Sequence, residues 1–410
     1  MRLLRQPRLA LLFAGGSLNA IGTWATLIAL WGFAAYRFHS GPEQIALLGL
    51  AWSLPGAVLS LVSGWPIDRF GPRPIIVASN LLGLVTALAM AASGRYSTLL
   101  LLALAAGGVQ AFGRPAAMSL PPRLVGDGDL LAANSLMNMA EQSAMVFGPL
   151  VASLAISWWG IRAAFLVDAA TFVAGTAAVM PLRLRAVAAA DRAASPARDI
   201  LAGLRLARWI PEVRRTLVMA FFVFASWGAF IVMEPLYVRD VLHRSPATLG
   251  YLQTVFGAGL LGMTALLPRL GDRVATVRAL ALAVIGSGAA AALYVGTRWL
   301  GVAAAGVFAW GVITGFFLPP MQTLLQRATP PETHGRVMAV AGTLDGIGGL
   351  VSVPLTGLVV GALGVSGTGL VVGAILVLAG LAGLARAGGV PPVRSDAAGP
   401  DRVPAAGATR

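Results

Sequence analysis

The sequence predicts an all-α integral membrane protein, with twelve transmembrane helices arranged as two six-helix pseudo-symmetric bundles. Three observations predict it. Of 410 residues, 57% are hydrophobic and only 11% charged; an ordinary soluble domain is about a quarter charged, so too few polar side chains remain to cover a soluble globule. Twelve stretches are long and apolar enough to cross a ~30 Å hydrocarbon core, which takes about 20 helical residues. Residues of matching chemistry also recur 204 positions apart.

The spans read as 9–36, 43–63, 74–94, 97–119, 131–157, 161–182, 214–238, 246–267, 276–297, 299–320, 336–362 and 366–386. Tight loops of Gly, Pro and charge separate them, such as Ser40-Gly41-Pro42-Glu43 and Arg244-Ser245-Pro246. The first apolar run follows Arg2, Arg5 and Arg8 but exceeds the ~7–15 residues of a signal-peptide core, so it reads as an uncleaved helix. All 30 basic residues are Arg. On this assignment 23 of them fall on the side of the N-terminus and six on the other, with Arg114 alone inside a span. The excess of basic residues in cytoplasmic loops then places both termini in the cytoplasm of a bacterial inner membrane. The net charge of +14 is therefore a topology signal, and no nucleic-acid partner is predicted.

Four segments follow: a first bundle (1–182), a cytoplasmic linker (183–213), a second bundle (214–388) and a disordered tail (389–410). In the linker, Ala186 to Pro196 reads as flexible. Asp199 to Trp209 reads as a short helix, with Leu204 and Trp209 at the membrane interface beside Arg205 and Arg208. Cys is absent, which excludes disulfides and thiolate metal sites. Lys is absent too, which excludes a phosphate-loop Lys and Schiff-base chemistry. No catalytic constellation, cofactor or metal site is predicted, so the chain is not read as an enzyme.

The halves repeat. Asp68-Arg69 matches Asp272-Arg273, Pro115 matches Pro319, and Arg123 matches Arg327, each at an offset of 204. Parallel repeats of this kind are related by an axis along the membrane normal, with a substrate site between them near the midplane.

Gly64-Trp-Pro-Ile-Asp68-Arg69-Phe70-Gly71-Pro72-Arg73 resembles the signature loop of the major facilitator superfamily, with Pro72 at one usually basic position. Asn134 through Phe147-Gly148-Pro149 resembles the fifth-helix Gly-Pro signature of its exporter branches, although Ala152, Ser153 and Leu154 replace the glycines that usually follow. The fourth-helix Arg motif of proton antiporters is missing from its usual place. The chain resembles most the twelve-helix group of drug, macrolide and enterobactin exporters. The resemblance implies that Asp68 meets the N-terminal end of the eleventh helix and that Arg73 pairs with Asp127 or Asp129. Together these would latch the cytoplasmic side when it closes. Gly64 and Gly71 would allow the tight backbone, and Arg69 and Arg73 would hold the loop cytoplasmic. The alternative is that the loop only fixes topology.

Five charged residues fall inside spans: Arg114, Glu141, Asp168, Glu234 and Asp345. Each costs ~2.5–3.5 kcal/mol to insert and needs a partner or water. Glu141 and Asp345 differ by 204, and both lie near mid-membrane. Asn134, Asn138, Glu141 and Gln142 form one polar stripe of a helix. These groups are candidates for proton coupling or the transport pathway; their structural alternative is an interhelical hydrogen-bond cluster. For Asp345, Gly342 and Gly346 favour close packing instead. Glu234 is read as an external gate or proton entry, or as a snorkelling side chain. Asp168, on a helix that the family makes peripheral, is read as a structural bond. Arg114 can snorkel, or meet an anionic substrate or Asp68. Asn19, Thr23 and Gln110 are polar candidates on cavity-lining helices by resemblance. Trp24, Trp31, Phe221, Phe222, Phe224, Trp227, Phe230, Trp310, Phe316 and Phe317 lie on similar helices, and ordinary packing explains about half of such aromatics.

The function these readings predict is alternating-access secondary transport. The form favoured is proton-coupled efflux of hydrophobic or amphipathic drug-like molecules by a monomer, with protons as the coupling ion and the lipid bilayer as the other partner. A lipid or lysolipid flippase and a small-metabolite importer are the alternatives.

Overall fold

The structure, a computed structural model, describes residues 7–59, 62–181 and 196–385. The flexible part of the linker and the tail expected after residue 388 lie outside the described residues. Among the described residues the fold is helical, without strands.

The helices are α1 (Pro7–Gly32), α2 (Pro42–Leu59), α3 (Gly64–Phe70), α4 (Pro72–Ala92), α5 (Tyr96–Met118), α6 (Pro121–Leu124), α7 (Asp127–Trp159) and α8 (Arg162–Val179). After these come α9 (Pro196–Trp209), α10 (Pro211–Leu236), α11 (Ala247–Leu270), α12 (Val277–Val295), α13 (Leu300–Arg327) and α14 (His334–Ala385). Several open on Pro, whose fixed φ and missing N–H suit a first turn. Ten helical stretches are long and apolar enough to cross a membrane. The pair α2 and α3 makes one further span, bent by 57°. Helix α14 holds two spans, because Gly364 breaks it with φ 70°. The described residues thus contain the twelve predicted spans. The bend falls at the break between Leu59 and Gly64, and Pro66 stands in the first turn of α3, where its missing N–H costs no helical bond.

The repeat is visible in the backbone. Helix α1 ends in a wide π turn at Phe33–Arg37, and α10 ends in another at Tyr237–Val241, 204 positions on. His39 and His243 both take the left-handed conformation, at φ 49° and 50°. Gly160 and Gly364 do the same at φ 84° and 70°. The matching closures are Ser40 N–H to the Ala34 carbonyl (3.1 Å) and Arg244 N–H to the Val238 carbonyl (3.0 Å).

Packing follows the halves. Helix α1 packs on α7 and α8, and α4 on α5 and α8; in the second half α10 and α12 pack on α14, and α11 on α13. The halves meet where α7 packs on α11 and α2 on α14. The largest apolar core is shared by both halves and lies at the end distal to the N-terminus. It joins Leu30, Phe33, Ile45 and Phe165 to Met233, Leu236, Tyr237, Tyr294 and Val353. At the N-terminal, proximal end the cores separate. Leu12, Ile67, Ile76, Leu120 and Val179 cluster in the first half, and Val213, Leu217, Leu280, Met321 and Val340 in the second. Helix α9 packs on α10 and α14, with Ala207 in that second core. Its Leu204 and Trp209 are exposed. Exposed Trp158, Trp159 and Trp299 mark distal span ends, where aromatic belts form.

Candidate functional site

Separate proximal cores and a shared distal core leave a cleft that opens on the proximal face. The contacts between halves run along the distal parts of the helices. Ser153 Oγ donates to the Ala247 carbonyl at 2.9 Å, and Ser157 and Tyr251 hydroxyls lie 3.3 Å apart. A Cβ at Gly49 would touch Val353 and Ile231. Above them, Arg239 Nη1 donates to the carbonyls of Ala35 (2.7 Å) and Ser40 (2.9 Å) in the other half, and Tyr36 Oη donates to the Arg244 carbonyl (2.5 Å).

Proximally, α7 is open. Asn134, Asn138, Glu141 and Gln142 are all exposed. Arg114 of α5 donates to Glu141 Oε2 at 2.9 Å, and the two side chains are 64% and 44% exposed. Asp345 of α14 is exposed, and the Arg114 guanidinium acts on it electrostatically across the cleft. One cation therefore faces two repeat-related carboxylates from opposite halves. This corrects two expectations. Arg114 neither snorkels alone nor seeks Asp68 here, because a nearer carboxylate holds it. Gly342 and Gly346 support no close packing, since a Cβ at either would meet nothing within 4 Å.

The other polar candidates are divided. Gln110 Nε2 donates to Thr23 Oγ1 at 2.9 Å, clasping α5 to α1, and Thr23 donates to the Asn19 carbonyl. Asn19 Oδ1 is buried without a hydrogen-bond partner. Glu234 is fully packed, at 4% exposure. Tyr294 Oη donates to its Oε1 at 2.6 Å, and Gln253 Nε2 donates to its Oε2. It does not snorkel, which corrects one of the expectations for it. Tyr294 of α12 and Gln253 of α11 close over its carboxyl. Asp168 is buried and bonded to Thr26 Oγ1 at 2.6 Å. Of the ten aromatics, Trp31, Phe224, Phe230, Trp310 and Phe317 are core residues.

In the signature loop, Gly71 has φ 81° and ends α3, a conformation that favours Gly. Gly64 instead opens α3 and is absent from the positive-φ residues, so its expected turn role is not seen. Arg69 sits 5.4 Å from the Trp65 ring and 5.5 Å from the Phe70 ring, a cation–π arrangement. Arg73 Nη2 donates to the Met180 carbonyl, at the end of α8. Asp68 is exposed, and α3 packs on α4. Sequence reading missed Tyr294, Gln253, Thr26, Thr171 and Arg239. Only Thr26 carried a signal, lying three residues past Thr23 on one face of α1.

Comparison with known proteins fits this architecture. The chain is similar to the multidrug efflux pump Tap of Mycolicibacterium fortuitum, 28% identical over 381 residues, covering 88% of this chain and 90% of that protein. It is 24% identical to the uncharacterized MFS-type transporter YfiS of Bacillus subtilis over 388 residues, covering 92% of each. Among solved structures it resembles the nucleoside transporter NupG, with TM-score 0.71 at 12% identity, covering 92% of this chain and 98% of that one. A bacterial homolog of the lysosomal transporter Spinster matches with TM-score 0.67 at 17% identity, covering 94% of each. The sequence profile of the Major Facilitator Superfamily matches residues 12–224 and again 216–407. With one profile matching twice, on two halves whose backbones repeat at the same offset, this chain belongs to the Major Facilitator Superfamily.

Proposed function

We propose that the chain is an alternating-access exporter that drives hydrophobic or amphipathic drug-like molecules out of the cell in exchange for protons. The observation that carries this is the exposed Arg114–Glu141 pair, with Asp345 opposite, in a cleft sealed distally and open proximally. The excess of Arg on the proximal side makes that side cytoplasmic, so the open cleft receives substrate from inside. The walls carry little charge beyond these three groups, which suits apolar and cationic molecules over polyanions. The relatives named as multidrug efflux pumps support efflux.

A proton on Glu141 removes the charge that holds Arg114, and a carboxylate restored by proton release recaptures it. Substrate in the cleft would act on the same equilibrium, and that shared group is what couples the two. Closing the cytoplasmic side would bring Asp68 to the partially positive N-terminal end of α14, while Arg239 would release the distal seal. The protein would work as a monomer in the bacterial cytoplasmic membrane.

The test uses inside-out membrane vesicles and a panel of hydrophobic cations and macrolides. Substrate addition should discharge a preformed pH gradient in vesicles with this protein and not in vesicles with Glu141→Gln. Normal gradient-driven uptake by Glu141→Gln would refute the proton role.

A further inference from the structure

Asp168 is a carboxyl that the cleft does not use. It lies midway along α8 at 3% exposure. Thr26 Oγ1 donates to its Oδ2. Thr171 Oγ1 stands 3.3 Å from Oδ1, but that hydroxyl has one hydrogen, and the Asp168 carbonyl takes it at 2.8 Å. An ionised carboxylate offers about four acceptor positions; this one has a single well-placed donor. The packed elements bring it no counter-charge. The charges of α1 and α4 lie at their ends, as Arg37 and Arg73 do. On α7, Asp127 and Asp129 lie at the proximal start and Glu141 is held by Arg114; on α5, Tyr96 is at the far end and Arg114 is taken. A buried carboxylate with one donor and no counter-charge is too costly to persist ionised, so something outside the chain must neutralise it.

The space for it exists. A cavity of about 10 Å³ adjoins Asp168, lined also by Thr26, Thr86, Gln110, Trp52 and Phe172; this is about one water in size. Its hydroxyls are spent on the donor side. Thr26 gives its hydrogen to Asp168 and Thr86 gives its own to the Leu82 carbonyl, while Gln110 Nε2 gives one of its two hydrogens to Thr23. What the two hydroxyls keep is lone pairs, and Gln110 keeps its amide oxygen as an acceptor. Gly22 lets α1 come this close, since a Cβ there would collide with Thr171 Oγ1 and Asp168 Oδ1.

We infer that this pocket inside the first bundle takes up one monovalent cation, as a proton on Asp168 or as Na⁺ seated among the oxygens of Asp168, Thr26, Thr86 and Gln110, and that it is a coupling-ion site. One carboxylate neutralises one positive charge, and a divalent ion would leave an excess in an apolar bundle. Gln110 and Arg114 are one turn apart on α5, and Thr23 and Thr26 nearly one turn apart on α1. Filling the pocket therefore acts on the α1–α5 clasp and on the helix that carries Arg114. The coupling role rests on the transporter reading; the binding does not.

The experiment uses the purified full chain in lipid nanodiscs. Melting is measured in NaCl against choline chloride at constant ionic strength, and the protonated-carboxyl stretch is recorded by infrared spectroscopy at neutral pH. Glu234→Gln identifies the band of the other buried carboxyl. If Na⁺ is the occupant, melting rises saturably with NaCl, by several degrees, and the rise is lost in Asp168→Asn. If a proton is the occupant, Na⁺ has no effect and Asp168→Asn removes a band. Thr26→Val keeps the carboxyl and should shift the Na⁺ midpoint, or the band's titration midpoint, by about tenfold; it carries the test if Asp168→Asn does not fold. Absence of both signals in the parent, or their survival in Asp168→Asn and Thr26→Val, overturns the site. Signals that are present while Asp168→Asn still drives uphill transport with the parent's ion dependence overturn the coupling role alone.

Discussion

Replacing Arg239 by Ala should open the distal face. Arg239 Nη1 spans the two halves to the Ala35 and Ser40 carbonyls, at the C-terminal end of the first span, where carbonyls lack helical partners and carry partial negative charge. Its Nε and Nη2 hold Asp240, at 2.6 and 2.9 Å. Asp240 belongs to the same half and travels with Arg239, so that pair survives opening. The two cross-half bonds do not. A hydrogen bond to a charged group contributes about 1.5–3 kcal/mol. The side chain is 20% exposed, so water recovers part of this on opening, and about 2 kcal/mol is a fair net figure for the two together. That is a shift of about thirtyfold toward the distally open state. The absence of Cys makes the assay direct: spin labels at Trp159→Cys and Trp299→Cys, both exposed, report distances across the distal face. Arg239→Ala should move population to the longer distance, and Arg239→Lys, which keeps charge but loses the fork, should fall between. An unchanged distance distribution in Arg239→Ala would show that the seal is carried by the apolar core alone.

Glu141→Gln should cut gradient-driven accumulation in vesicles at least tenfold while leaving substrate exchange. Its melting temperature should barely move, because an exposed ion pair contributes about 0–1 kcal/mol. Asp68→Asn should raise the proximally open population without unfolding the protein, read from cysteine accessibility on both faces; equal accessibility in parent and variant would leave Asp68 a topology residue. Tyr294→Phe should destabilise by about 1–3 kcal/mol, because it strips Glu234 of a donor in a buried site. It should lower the melting temperature more than Glu234→Gln does.

The sequence is legible where a single physical rule dominates. Span positions follow from apolar length, and the Gly160 and Gly364 turns fall in the short gaps between spans that those lengths leave. The polar stripe from Asn134 to Gln142 follows from helical periodicity. The misreadings have a common physical source. Snorkelling is open to Glu234 by sequence because it lies near the outer end of its span, yet the π turn at Tyr237–Val241 extends the helix and keeps Glu234 against Tyr294. Asp168, placed as a structural bond, does bond Thr26 of α1, but its shortage of donors is visible only once Thr171 is seen to give its hydrogen to a carbonyl. Gly342 and Gly346 form a packing motif only if a neighbour arrives, and here none does. Each depends on contacts between spans far apart in sequence, where local pattern carries no information.

The repeat offset duplicates backbone more faithfully than charge. Leu30 stands opposite Glu234 in the repeat, Val372 opposite Asp168 and Leu318 opposite Arg114. Among the intramembrane charges only Glu141 and Asp345 correspond, so the pseudo-symmetric cleft holds two carboxylates and one cation. Arg114 can hold one of them closely at a time. With the cleft open it holds Glu141 of its own half; closure would bring Asp345 nearer and let Arg114 exchange partners. A shared partner makes the two carboxylates one unit, so neutralising both should cost transport little more than the worse single change. Independent groups would instead multiply their losses. Glu141→Gln, Asp345→Asn, their combination and the parent, each assayed for efflux against external pH, complete the cycle. Efflux losses in the double variant equal to the product of the single losses would refute a shared partner and return Asp345 to a role of its own.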